Sequence, residues 1–148
     1  MVMGYDRRAP TAAELDSMRA LVRQAMAEGA LGVSSGLSYA PNIYMTTGEL
    51  IALAREAAAS GGIYASHIRT INGKDPNAVR EAVTIADSAR IPVHLFHLNS
   101  VASTSARVFL AIIDSARARG VRITGDSYTY TWGVTGLADY LLRARSWA

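Results

Sequence analysis

Two spacings of apolar residues alternate along this chain. Leu15, Met18, Leu21, Val22 and Met26 recur every three or four positions, the period that lines one face of an α-helix. Thr11 with Glu14 has the spacing of a capping box in front of that helix, and Gly29 stops it. Thr46 and Glu49 repeat the box before Leu50, Ile51, Leu53 and Ala54, and Gly61-Gly62 supplies a left-handed exit. Asp75-Pro76, a cap followed by a residue whose φ is already helical, opens a third helix through Val79, Val83 and Ile85 to Arg90. A fourth helix runs from about Thr104 through Val108, Phe109, Ile112 and Ile113 to Arg119, with Gly120 beyond its end. Short strand-like runs begin near Leu31, Ile63, Val93 and Val121, and Leu137 to Arg145 is a further helix candidate.

Each run follows a helical pattern, at a repeat of roughly 30 residues, which predicts α/β architecture with a parallel sheet and crossover helices. Four consecutive βα units make half of a (β/α)8 TIM-like barrel or half of a doubly wound sheet. No Gly-x-Gly-x-x-Gly follows any strand, so the dinucleotide-binding alternative loses its phosphate cradle and the partial barrel gains.

Composition narrows the function classes. The 148 residues are 50% hydrophobic and 18% charged, which is globular rather than disordered composition. The net charge of +3 comes from 14 arginines and one lysine scattered through helices, so no basic stripe predicts a nucleic-acid partner. No stretch approaches the roughly 18 apolar residues of a membrane span, and no membrane partner is expected. The absence of cysteine excludes disulfides and thiolate metal sites and fits a cytoplasmic, reducing compartment.

Parallel barrels carry their chemistry at the carboxyl edge of the sheet, and His67 and His97 lie near the ends of the second and third runs. Alternation puts His67 on a face with Ala65 and Arg69, and His97 on one with Leu95 and Asn99, with His94 pointing the other way. If the face carrying His67 lines a barrel interior, both rings reach one metal ion; otherwise each is a packed structural histidine. Catalytic zinc takes three protein ligands and an open position for water, so a third ligand must be Asp126 or lie outside the segment. Asp126 equally suits loop capping, and it shares one side of its run with Tyr128 and Tyr130. Arg69 offers a planar fork for a substrate carboxylate or for a carboxylate of the fold. Tyr39 and Tyr44, in the long loop after the first strand, can face a ligand, although packing on the next helix accounts for at least one of them. Lys74, in a glycine-containing loop, makes a poor metal bridge. With no cysteine and no Gly-x-Ser-x-Gly elbow, hydrolysis by metal-activated water fits these residues better than an acyl-enzyme.

Several blocks together resemble the N-acyl-D-amino-acid deacylases (D-aminoacylases) of the metal-dependent amidohydrolase superfamily. They are Met3-Gly4 with Arg8, the helix through Met18 and Met26, the stretch from Gly29 to Pro41 with Tyr44 and Glu49-Leu50, Tyr64 to Arg69, Val93 to Asn99, and Asp126 to Tyr130. The resemblance implies that His67 and His97 are zinc ligands and that Arg69, Tyr39, Asn99 and Tyr130 contact substrate. Thr129 stands where the family's Asp-x-Tyr-Pro-Tyr segment has proline, Ile71 where many members are acidic, and Asn99 where many have lysine. Asn99 keeps hydrogen-bonding capacity and loses the charge for a substrate carboxylate. The family's early His-x-His strand, bridging cysteine and late catalytic aspartate are not in this sequence.

The resulting expectation is that residues 1–148 are the central part of one amidohydrolase catalytic domain. It would use zinc (Zn2+) to hydrolyse the amide of a small-molecule N-acyl amino acid. A half-barrel alone would expose sheet edges and an apolar interior, so the isolated chain is expected to be inactive and prone to association. The rival readings are a cyclic-amide (dihydropyrimidinase-like) hydrolase and a non-catalytic α/β segment that binds a partner.

Overall fold

The computed structural model describes residues 2–69, 75–99, 106–134 and 136. The helix expected at Leu137 to Arg145, Ile71 and Lys74 lie outside the described residues, as does the expected start of the last helix at Thr104. The α-helices and strands that lie wholly within the described residues alternate: α1 (Ala12–Ala27), β1 (Gly32–Gly36), α2 (Thr47–Ala59), β2 (Ile63–His67), α3 (Pro76–Ala89), β3 (Val93–Leu95), α4 (Ala106–Ala118) and β4 (Ile123–Gly125). A single 3-10 turn, Asn42–Tyr44, interrupts the loop between β1 and α2.

The local signals act as the sequence predicts. Thr11 and Thr46 each accept the amide of the residue three positions on, while Glu14 and Glu49 reach back to the cap amides. Asp75 accepts from the amide of Asn77 with Pro76 in the first turn of α3, and α3 ends on Arg90 in the left-handed conformation.

All strands run parallel in the order β1-β2-β3-β4. The register stacks Val33, Tyr64, Val93 and Ile123 in one row, and Ser35, Ser66, Leu95 and Gly125 in another. Within those rows Tyr64, Val93, Leu95, Ile123, Ser35 and Ser66 are buried beneath the helices. The intervening row, Ser34, Ala65, His94 and Thr124, faces away from the helices and is not fully buried. Helices α2, α3 and α4 bury Leu50, Ala54 and Ala57, Val79, Ala82 and Ala86, and Phe109, Ile113 and Ala116 against that sheet. The described residues thus form a parallel sheet with its helices on one face and the other face open. Tyr64 brings a hydroxyl into the apolar layer, where Ser35 Oγ satisfies it at 2.6 Å. Burial raises the pKa of that phenol above its usual value, so it stays neutral.

The first helix departs from the expectation in one respect: none of its residues is fully buried, and Leu21 is 53% exposed. Val22 and Met26 pack on the core's margin. Much of the docking of α1 is electrostatic: the buried carboxylate of Glu56 on α2 accepts from Arg19 Nε at 2.6 Å and from Arg23 Nη1 at 2.9 Å. Hydrogen bonding from Arg23, then Arg19, holds Glu56 below the usual carboxylate range against the opposing effect of burial.

Two outcomes follow for the stability of the protein carrying this chain, measured by chemical denaturation. Because Glu56 is depressed in the folded state, its contribution is complete above its unfolded pKa of about 4.5 and is lost as pH falls through the lower folded value. Glu56→Gln therefore lowers stability by about 1 kcal/mol at pH 7 and flattens the acid limb. A Cβ at Gly32 would sit 2.0 Å from the backbone oxygen of Ile63, whereas one at Gly133 meets nothing within 4 Å. Gly32→Ala lowers the denaturation midpoint clearly and Gly133→Ala leaves it nearly unchanged.

Candidate metal centre

Register alone would keep the two histidines apart. Ser66 pairs with Leu95, so His67 is level with Phe96, and His97 is level with the buried Ile68. Continued alternation would point His97 towards the helices, on the face of Leu95. The two histidines near the run ends are thus offset by one residue, and His94, expected on the side opposite to the pair, shares the open face with Ala65 and His67.

The chain removes the offset by leaving the strand. Regular pairing stops at Leu95, and His97 takes a left-handed φ of 41°. A non-glycine residue there costs about 1–2 kcal/mol and persists where its surroundings hold it. The ring swings onto the open face, where His97 Nε2 lies 2.9 Å from His67 Nδ1 with the rings edge to face, centroids 4.6 Å apart.

That approach is a hydrogen-bond distance, and it lies close to the spacing of two ligands of one ion. Two nitrogens about 2.05 Å from zinc at a tetrahedral angle are about 3.3 Å apart, a few tenths of an ångström wider than the pair seen here. Burial lowers the pKa of His97, so its imidazole is neutral at neutral pH, the form that coordinates a metal. The pair fits zinc as two of its ligands. No group of three or more histidine, cysteine, aspartate or glutamate side chains that could hold a metal occurs among the described residues.

Asp126 is therefore not the third ligand of this pair. One carboxylate oxygen accepts the backbone amide of His97, and the other lies 3.1 Å from His94 Nε2. His94 Nδ1 is in turn 2.8 Å from Thr124 Oγ1. Partial burial works to raise the pKa of Asp126, and the His97 amide with the His94 ring outweighs it, so the carboxylate lies below its ordinary range. Loop capping, one of the two roles open in the sequence, is the one this geometry displays.

The remaining candidates divide into those beside the pair and those that fix the loops. The Tyr39 ring lies 5.0 Å from that of His67. Tyr128, placed beside Asp126 and Tyr130 by the sequence but not named as a substrate contact, lies 5.3 Å from the His97 ring. Tyr130 follows one step further, stacked on Tyr128 at 6.2 Å, with Trp132 stacked on it at 5.2 Å. The alternation of Asp126, Tyr128 and Tyr130 was the available signal for this row. Tyr44 belongs elsewhere, beneath the Arg7 guanidinium at 5.5 Å from the ring centroid.

Arg69 and Asn99 serve as loop ties in this structure, with hydrogen bonds to neighbouring loops. Arg69 donates to Glu81 at 3.0 and 3.2 Å and to the carbonyls of Ile43 and Met45, both at 2.7 Å. Glu81 also accepts from Thr47 Oγ1 at 2.8 Å, so one guanidinium joins the end of β2, the loop carrying Tyr39, α2 and α3. Asn99 accepts from the amide of Tyr128 at 2.8 Å and donates to its carbonyl at 3.4 Å. It links the segments that follow β3 and β4.

No protein-family model matches the chain. A D-aminoacylase of Alcaligenes xylosoxydans xylosoxydans is 36% identical over 139 residues, which cover 92% of this chain and 28% of that protein. A solved D-aminoacylase, described as defining a novel subset of amidohydrolases, superposes with a TM-score of 0.80 at 33% identity over 89% of this chain and 28% of its own. The chain is D-aminoacylase-like. An N-acyl-D-glutamate deacylase of Bordetella bronchiseptica, solved with zinc and a phosphonate mimic of the tetrahedral intermediate, superposes with a TM-score of 0.77 at 34% identity. It covers 84% of the D-aminoacylase-like chain and 27% of the deacylase. A D-hydantoinase shares the fold alone, with a TM-score of 0.59 at 15% identity. The D-aminoacylase-like chain spans about 28% of the length of the first of these relatives, and its four-stranded sheet is a partial amidohydrolase barrel.

The role of Arg69 is open to measurement. Arg69→Lys keeps the charge and loses the fork, so limited proteolysis of the variant should accelerate cleavage between residues 37 and 46 several-fold relative to cleavage elsewhere.

Proposed function

We propose that this chain is part of the catalytic domain of a zinc-dependent amidohydrolase that removes the acyl group from an N-acyl-D-amino acid. The observation that carries the reading is the 2.9 Å approach of His67 Nδ1 to His97 Nε2 at the carboxyl edge of a parallel sheet. The likeness to deacylases at 36% and 34% identity supports the substrate class, and the zinc-bound relative supports the metal.

In this reading His67 and His97 hold the metal through the facing nitrogens, and further ligands come from outside the described residues. The chemistry that zinc supplies when bound is Lewis-acid polarisation of the scissile amide and acidification of the attacking water. Tyr39 on one side, and Tyr128 and Tyr130 on the other, wall the approach to the pair and shape the space for the acyl group and side chain. Arg69 and Asn99 hold those walls in place from behind. The cysteine-free composition accords with a cytoplasmic enzyme.

The test uses the full-length protein that contains this chain. N-acyl-D-amino acids should be hydrolysed, with activity lost on chelation and restored by zinc. His67→Ala and His97→Ala should each lower kcat/KM by at least about 100-fold and reduce bound zinc. Preference for cyclic amides under the same conditions would favour the dihydropyrimidinase-like alternative. Unchanged zinc content and activity in both variants would remove the metal role and leave a non-catalytic segment.

A further inference from the structure

Asp126 grips the segment that carries His97 through its amide, its carbonyl and one carboxylate oxygen. Its amide donates to the carbonyl of Leu95 at 3.1 Å, its carbonyl accepts from the amide of Leu98 at 2.8 Å, and its side chain accepts from the amide of His97 between them. The two backbone bonds bracket Phe96 and His97, and the side-chain bond fixes the orientation of the peptide in the middle. That peptide precedes the residue at φ 41°, where alternation is broken.

The carboxylate is itself oriented. Its second oxygen meets His94 Nε2 at 3.1 Å, and Thr124 Oγ1 anchors the opposite nitrogen of the same ring at 2.8 Å. His94 and Thr124 occupy one row of the open face, paired in register on β3 and β4. Phe96 closes over the His94 ring edge to face, with centroids 5.3 Å apart. The result is a chain of contacts, Thr124 to His94 to Asp126 to the His97 amide, that ends on the backbone of a proposed metal ligand without touching the facing ring nitrogens.

We propose that Asp126, oriented by His94, is a positioning residue that turns His97 off the outward face of β3 and holds its ring opposite His67. The inference rests on the metal role proposed for the histidine pair. Residues that orient metal ligands typically change metal affinity by about 10- to 100-fold when removed. A carboxylate that holds the backbone of a ligand, instead of its ring, acts on the same quantity through the direction in which the ring points.

The experiment measures cobalt(II) binding to the full-length protein by its visible absorption in competition with a chelator, alongside thermal melting of the metal-free protein. Asp126→Ala should weaken cobalt binding by about 10-fold or more and alter the absorption band, whereas Asp126→Asn, which keeps an acceptor for the His97 amide, should restore most of the affinity. His94→Ala should give a smaller loss of several-fold, with the melting temperature of the metal-free protein close to the parent's. If Asp126→Ala fails to fold, Asp126→Asn and His94→Ala decide: parental affinity in His94→Ala, or a loss in Asp126→Asn as large as that in His67→Ala, overturns the proposal. Parental affinity in Asp126→Ala overturns it directly. In those cases the parent still binds cobalt through His67, so the function reading survives; a parent whose binding is indifferent to His67→Ala overturns both.

Discussion

A residue in a β-strand points to one face or the other, and a parallel partner in fixed register leaves it no choice. His67 and His97 are one residue out of step under that constraint, so the histidine pair exists only because the chain leaves the strand after Leu95. The left-handed turn at His97 is locally unfavourable, and the carboxylate of Asp126, just past the end of the neighbouring strand, holds it. Everything proposed for the chemistry of this chain depends on that single break in alternation.

The rest of the architecture keeps the break in place. The outward rows of the sheet, with Tyr64, Val93, Leu95 and Ile123, are anchored in a core shared with α2, α3 and α4, so the strand ends cannot shift without disturbing it. In the open-face row of Ser34, Ala65, His94 and Thr124 the neighbours of His94 are short, and its ring lies between Thr124 and Asp126. Beyond the strand ends two polar ties, Arg69 with Glu81 and Asn99 with Tyr128, set the loops that bring Tyr39 and Tyr128 beside the imidazoles. Charge is thus used chiefly to hold backbone.

Burial and charge also prepare the pair chemically. His97 is partly shielded from water, which favours the neutral ring, while the carboxylate nearest to it stays ionised and committed to the amide. A buried histidine with a free-swinging aspartate beside it would tend to form an ion pair. Here the aspartate's second oxygen is taken by His94, and Nε2 of His97 faces His67 instead.

Much of this was legible from residues in order along the chain. Capping boxes at Thr11 and Thr46, the Asp75-Pro76 start, and apolar periodicity act within a few residues, so the sequence by itself determined the helices, the parallel βα repeat and the candidacy of His67, His97, Tyr39 and Tyr130. The contacts of Arg69, Asn99 and Asp126 depend on partners at sequence separations of 12 to 32 residues, which periodicity does not report. The same holds for the one-residue offset between β2 and β3, because register is a relation between strands and not a property of either one. Local order named the histidines; only the tertiary structure decided that they meet, because hydrogen bonds from a neighbouring strand hold the backbone where alternation would have turned His97 away.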